Sequence, residues 1–509
     1  MSSPFSRVLP SRPDLEQQQK QAKELLAQFA EGEVEARARV RAALPDKRQI
    51  VLADAQFVVA REYGFVSWAA LKRHIESLAD AGRSPEQLVH DAFSRRDAGA
   101  VRRVLASNAA FRARIDDPVF SFNSPAIVSF ADDPAMVEVL LDFGADPNRR
   151  SDWWAGGFHA LHVATGAAAE KLLAAGAIPD ACAAAHLDRA DLLARMIDED
   201  PACVHQRGGD GQRPLHFARS REVIDLLLSA GADPDARDLD HRSTAAQWML
   251  AGARGAGRYD LARYLVHHGA TPDIFLAAAL GLTDRARAMF ERQPELLDLR
   301  TGRGEYGEQP PSSHHIYFWT IGAHRSPLEV AAQFEQHETL VAMTSVATPL
   351  RRFLLACRQR DEPAARAVLS EHAHLLDDLR PEDHRLVSDA AWNADAGAVA
   401  LMMSLGFDPR TPGHDAGTAL HCAAWQGSAA TVGALLEHER ARALLGIRDA
   451  HYQATPLGWC CHGSLHGDAS RDHAAVAELL LEAGARPGPD TNDRSRAVDA
   501  VFTRWTRRR

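Results

Sequence analysis

The chain has 509 residues, of which 46% are hydrophobic and 25% charged, an ordinary balance for a globular protein. Its formal net charge of −10 argues against wholesale binding of nucleic acid or an anionic membrane, which calls for a positive field. No run of 18 apolar residues occurs, so no membrane span is expected.

The first segment, "MSSPFSRVLPSRPDLEQQQKQ", lacks the apolar core of a secretory signal. Cys182, Cys203, Cys357, Cys422, Cys460 and Cys461 form no CxxC pair. Reduced thiols and a cytoplasmic location are therefore expected. Basic residues are nearly all arginine and alanines abound, which reads as a GC-rich bacterial genome and carries no functional signal. Residues 1–85 read as a helical leader: 17–44 as one helix, then 51–80 as a helix, a Gly-Phe turn, a Ser cap and a second helix.

Self-similarity begins further along. "VEVLLDFGADPN" (137–148), "IDLLLSAGADPD" (224–235), "LARYLVHHGATPD" (261–273) and "VAELLLEAGARPG" (476–488) are apolar helices closed by glycine and a polar turn. Their upstream partners are "HALHVAT" (159–165), "RPLHFA" (213–218), "SPLEVAA" (326–332), "TALHCAA" (418–424) and "TPLGWCC" (455–461). In these, Ser or Thr caps a helix, Pro fits its first turn, and a small pair lets a second helix approach. A helix pair this short cannot bury its own apolar face, so stacked neighbours must supply one continuous core. The expected fold is an all-α solenoid of about eleven or twelve helix-turn-helix units over 86–490. A helix in 491–509 with a basic finish caps it, or serves as a partner-binding tail.

The TPLH-like starts and GADPN-like ends resemble the ankyrin repeat, over roughly Glu86 to Asp490, and the leader resembles that of bacterial ankyrin-repeat proteins. Degenerate stretches such as 181–204, 274–298 and 350–378 keep only the helix-helix pattern. The resemblance implies non-enzymatic recognition of a partner, usually a protein, on the concave face and the finger loops. It also implies that His162, His216 and His421 tie repeats together through turn backbone rather than act as bases or ligands.

Three features exceed the repeat. A finger of 301–323 is far longer than a repeat needs, and long structured insertions are often functional. Its "HHIYFWTIGA" favours strand, which would send His315, Tyr317 and Trp319 to one face of a hairpin arm. That arm reads as a packed or partner-binding finger, a structural lid, or a catalytic or metal loop; His314 stands beside it. Trp153 and Trp154, before Gly-Gly, occupy another finger. A second insertion, 462–473, holds His462, His466, Asp468, Asp472 and His473, residue types that suit a metal, yet no stringent metal, nucleotide or nucleophile motif accompanies them. No cofactor, metal or catalytic residue is assigned.

The residue after each small pair forms a column: His186, Leu280, Gln333, Arg358, Trp392, Trp425 and His462. With the small pair in the core, this column should face the groove, with Trp459 nearby. Either the indoles contact a partner, as tryptophan often does at binding hot spots, or each packs over the next repeat. Two functions follow. A scaffold would bind a partner, expected to be a protein, through Trp392, Trp425, Trp459, His462 and the aromatic fingers. An enzyme would instead gather His314, His315, His462 and the tryptophans around a small-molecule substrate, with titratable groups within about 3 Å of a shared point.

Overall fold

The computed structural model describes residues 5–10, 13–80, 85–250, 258–468 and 470–508. Residues 1–4, 11–12 and 81–84 of the leader, residue 469 of the second insertion and Arg509 of the tail lie outside the described residues. Among those described, helices dominate and β-structure is limited to three isolated bridges. None of the helices is long and apolar enough to cross a membrane.

The chain forms two compact units. The first comprises Met1–Asp117, Pro125–Pro147 and Gly166–Ala175. Its leader helices are Leu15–Glu31, Val34–Ala43, Leu52–Glu62 and Trp68–Asp80. The single helix expected over 17–44 is broken at Gly32, which takes the left-handed conformation (φ 88°) and caps the first helix. Ala22, Leu25, Ala36, Val40, Ala55, Val58 and Val59 form a small core. Beside it Arg39 donates a two-pronged hydrogen bond to Glu62 (2.7 and 2.9 Å), which satisfies two buried charges at once. The pairs Pro85–Ser94 with Ala98–Ser107 and Ala126–Ser129 with Pro134–Asp142 complete this unit's repeats.

The second unit comprises Pro118–Ser124, Asn148–Thr165 and Gly176–Arg509. It holds nine helix pairs: Ala181–His186 with Ala190–Glu199, Pro214–Phe217 with Arg221–Ser229, Ala245–Met249 with Tyr259–His267, Ile274–Leu280 with Thr283–Arg292, Pro327–Gln333 with His337–Val346, Pro349–Gln359 with Glu362–Glu371, Leu386–Trp392 with Ala396–Ser404, Ala419–Trp425 with Ala429–Leu436, and Pro456–His466 with His473–Glu482. Ala160–His162 is a helical turn of this unit, and Gly166–Ala174 a helix of the first. Eleven helix pairs are thus described, within the number read from the sequence. Small residues line the first helices: Ala183, Ala184 and Ala185 are fully buried, as are Ala277, Ala278 and Ala279. The closing helix, Arg496–Arg507, buries Val498, Val501 and Phe502.

The repeat-ending glycines Gly144, Gly231, Gly269 and Gly484 have φ of 90°, 89°, 113° and 111°. A Cβ at any of them would meet nothing within 4 Å, so glycine is required for its dihedral and not for space.

The histidines of the TPLH phrase join one repeat to the next. The Thr418 N–H donates to His421 Nδ1 (3.2 Å), which leaves the proton on Nε2, and Nε2–H donates to the Ala454 carbonyl one repeat on (3.1 Å). His216 takes the Arg213 N–H (3.2 Å) and reaches the Ser243 carbonyl (3.1 Å) in the same way. Burial holds both rings below the usual histidine range, so they stay neutral at physiological pH. His421→Ala leaves the Thr418 N–H and the Ala454 carbonyl unpaired. Equilibrium urea denaturation should show a loss of about 1–3 kcal/mol; an unchanged midpoint would remove this bond from the account of the stack.

Candidate functional site

The long insertion is a strapped loop. Its base closes where the Thr301 N–H donates to the Arg325 carbonyl (3.0 Å) and His324 N–H to the Thr301 carbonyl (2.9 Å). Its body lies on the turn at Leu239–Ser243. There Arg242 donates to the carbonyls of Glu305 (3.0 Å), Gly307 (2.5 Å) and Ser313 (3.2 Å). Ser312 Oγ donates to the Leu239 carbonyl (2.9 Å), and the Ile316 N–H to Ser243 Oγ (3.2 Å).

The expected hairpin arm is absent: Tyr317–Thr320 is a single helical turn. Tyr317 is wholly buried and His315 nearly so, which removes both from any recognition surface. The reason is a buried carboxylate. Asp273 caps the Ile274–Leu280 helix through the Leu276 N–H (2.7 Å). It also accepts from Tyr317 Oη (2.9 Å), Tyr306 Oη (3.2 Å) and Gln247 Nε2 (2.7 Å). Two phenols of the insertion thus satisfy a charge that would otherwise be costly to bury. Burial pushes His315 down to about 3, so it remains neutral and cannot serve as a base at neutral pH.

Trp319 follows Tyr317 on the same turn and is 63% exposed. Its ring meets Phe318 at 4.8 Å between centroids; Phe318 meets His314 at 4.4 Å and His414 at 6.1 Å; His414 lies 4.0 Å from Trp392. The insertion therefore touches the end of a later first helix. Trp392 and Trp425 each end such a helix and are half-buried, and the Trp425 ring meets that of exposed His462 at 5.6 Å.

Trp459 belongs to the interior instead. It is 5% exposed, lies against Gly417, and donates from Nε1 to Asp449 Oδ2 (2.9 Å). Trp248 donates to Asp238 Oδ2 (2.7 Å) in the same manner. In both repeats the tryptophan follows the turn aspartate by ten positions, a periodicity that would have marked Trp459 as structural. Among the described residues no ring contact joins the His314 group to the His462 group.

The second insertion is absorbed by local structure. The Pro456–His466 helix runs through its start, with the His462 and His466 rings one turn apart (4.4 Å). Asp472 caps the next helix, and buried His473 donates to the Trp425 carbonyl (2.9 Å). The Trp153–Trp154 finger packs Trp153 edge-on against Phe122 (5.2 Å) and leaves Trp154 45% exposed. All six cysteines are unbonded and buried, and burial pushes the thiols of Cys357, Cys422 and Cys461 up to about 12, too high for a nucleophile.

One cavity, of about 460 Å³, is lined by residues that include Arg300, Arg303, His324, Glu329, Arg351 and Asp389. Sequence reading did not single it out. Glu329 caps its own helix by accepting from the Ser326 N–H (2.7 Å) and takes Arg358 Nε (2.9 Å) from the following repeat. Burial alone would raise its carboxyl, but Arg358, Arg300 and Arg325 more than offset that and hold it near 2. His324 is pushed down to about 3, first by burial and then by Arg385, Arg303, Arg358 and Arg300.

Stacked helix pairs joined by polar turns define a helical-repeat fold. The family model for the ankyrin repeat matches residues 210–239. Serine/threonine-protein kinase VIK of Arabidopsis thaliana is 34% identical over 91 residues, 17% of this chain and 19% of that protein. Ankyrin repeat and SAM domain-containing protein 6 of Mus musculus is 29% identical over 149 residues, 27% of this chain and 16% of that protein. The chain thus spans less than a fifth of either relative. An ankyrin repeat at residues 210–239 accords with the stacked helix pairs of the second unit.

Glu329 sets an acid limit. Its carboxyl is depressed from 4.5 to about 2 in the fold, so its contribution is complete above pH 4.5 and lost as pH falls toward 2. In denaturation series across that window, the wild-type chain should lose roughly 3 kcal/mol more than Glu329→Gln. Parallel curves for the two would show that the Glu329–Arg358 pair contributes nothing.

Proposed function

We propose that the chain is a non-enzymatic scaffold that binds a protein partner through its finger tips and first-helix ends. Trp319, Trp392, Trp425, His462 and Trp154 would make the contacts. One observation carries the reading. The insertion spends backbone and side-chain bonds on fixing its path and then leaves the Trp319 indole 63% exposed at its surface. An indole held in place before binding loses little entropy on contact, which is how hot-spot residues gain their weight. The enzyme alternative lacks support: His315 is buried and neutral, and His462 and His314 lie in different groups. A cytoplasmic setting accords with six unbonded cysteines.

The test is affinity capture from the native cell extract with mass spectrometry, followed by titration of the recovered partner. Trp319→Ala and Trp425→Ala should each weaken binding by about tenfold or more, since removing a hot-spot indole costs about 2 kcal/mol. The melting temperature of Trp319→Ala should hardly move. Trp459→Phe should do the opposite, lowering the melting temperature through loss of the Asp449 bond while binding follows the folded fraction. Indole variants that melt early and bind at full strength once folded would overturn the reading.

A further inference from the structure

Asp210, Asp240 and His241 come together from two successive finger turns, under the insertion. Asp210 sits in a left-handed turn (φ 57°) at Gly209–Gly211. Its carbonyl accepts the N–H groups of Leu239 (3.0 Å) and Asp240 (3.1 Å), which locks the two turns together. The side chains are deeply enclosed: Asp210 is 5% exposed and Asp240 1%. Donor atoms of all three residues lie within 4.8 Å of one another.

The hydrogen bonds determine what those atoms present. His241 Nδ1 lies 2.8 Å from the His314 carbonyl. A carbonyl only accepts, so Nδ1 carries the proton and the neutral ring turns a lone pair outward at Nε2. That nitrogen faces Asp240 Oδ2 at 3.7 Å and Asp210 Oδ2 at 3.9 Å. Three acceptors therefore face one another. The separations are too long for N–H···O bonds. They are near the ~3.4 Å expected between two ligands of a tetrahedral ion with bonds of about 2.1 Å.

The charge of Arg242 acts on Asp238 and Asp240, and this one cation does not offset the three carboxylates gathered here. Asp210 Oδ1 is enclosed and lacks a partner in good bonding geometry; the Trp153 indole N–H lies close enough to act on the Asp210 carboxyl without closing a well-formed bond. Arg242 is committed to the carbonyls of the insertion and Arg207 to that of Gly211. Asp238 is already saturated by the N–H groups of His241 and Ser243 and by Trp248 Nε1. Asp240 Oδ1 takes the Ser313 N–H (3.0 Å), which aims Oδ2 at the imidazole. A deeply buried carboxylate beside an oriented imidazole lone pair is the feature of a ligand set.

A second cluster, His162, Asp180 and Cys182, shows the contrast. There His162 Nδ1 accepts the His159 N–H, so Nε2 carries the proton and donates to Asp180 (3.0 Å). Arg150 pairs with the same carboxylate (2.6 Å). Every group in it has a partner.

We propose that Asp210, Asp240 and His241 bind one divalent first-row cation of the zinc class, which fastens the insertion to the finger turns beneath it. One imidazole nitrogen with two carboxylates suits zinc, whereas calcium and magnesium prefer oxygen alone. Fixing the His241 ring through the His314 carbonyl is the usual outer-shell device for aiming a metal-binding histidine.

The test uses the full chain stripped with a chelator and titrated with zinc against a competing chromophoric chelator. One equivalent should bind, and the melting temperature should rise with zinc. Asp210→Asn, isosteric at the site, and His241→Gln should each weaken zinc at least tenfold, with circular dichroism reporting that they fold. Cys182→Ser should leave uptake unchanged. X-ray absorption at the zinc edge should show nitrogen and oxygen neighbours only, a readout on the wild-type chain that holds if a variant fails to fold. No uptake by the stripped chain, uptake unaffected by both variants, or a sulfur neighbour in the absorption spectrum would each overturn the proposal.

Discussion

In five repeats the stack depends on one side chain, three positions after the residue that caps the first helix. That side chain must accept the capping residue's own N–H and still reach the next repeat. Histidine does both, because accepting at Nδ1 forces the proton to Nε2 on the far side of the ring, as His216 and His421 show. Gln247 solves the same problem with its two amide atoms, accepting from Thr244 and donating to Asp273. Glu329 solves it with two carboxylate oxygens, one toward Ser326 and one toward Arg358. The chemistry varies while the geometry stays, because an unpaired buried cap costs more than any one of these bonds contributes.

The insertion inherits its place from this rule. Asp273 caps its helix and receives Gln247 from the preceding repeat, yet retains acceptor capacity. Tyr306 and Tyr317 fill that capacity. The loop is thereby fixed at its centre by a bond the stack would otherwise leave unmade, and at its edge by Arg242 on three carbonyls. Rigidity here follows from satisfying buried polar groups, and the exposed Trp319 profits from it.

Periodicity made the fold legible. Apolar helix ends, glycine stops and capped starts repeat closely enough to set helix type and pairing; Trp392 and Trp425 end their helices, while His462 stands within one that runs on to His466. What failed was the reading of exposure. The β-branched and aromatic run at Ile316–Trp319 favours strand locally, but Asp273 selects one helical turn and draws Tyr317 inward; no local pattern encodes a hydrogen bond across 44 positions. Trp459 was misread for want of comparison with Trp248, since the shared ten-residue step from a turn aspartate was present in the sequence. The break at Gly32 was equally available, as a glycine followed by an acidic residue in mid-helix.

The cluster at Asp210, Asp240 and His241 could not be read from spacing, and the reason lies in how fingers are built. Each polar turn needs an aspartate to hold its own backbone N–H groups, as Asp238 and Asp449 do. Stacking sets such turns side by side, so carboxylates accumulate along the fingers as a by-product of turn chemistry. In open water this costs little, because hydration and salt screen the charges. The insertion changes the condition. By donating the Ser313 N–H it covers Asp240, and by offering the His314 carbonyl it decides which nitrogen of His241 stays bare. Burial raises the Asp210 carboxyl to about 7, with Asp240 and Asp238 adding to the effect and His241 opposing it. The same cover that makes the finger rigid thus turns ordinary turn residues into acceptors in need of a positive partner.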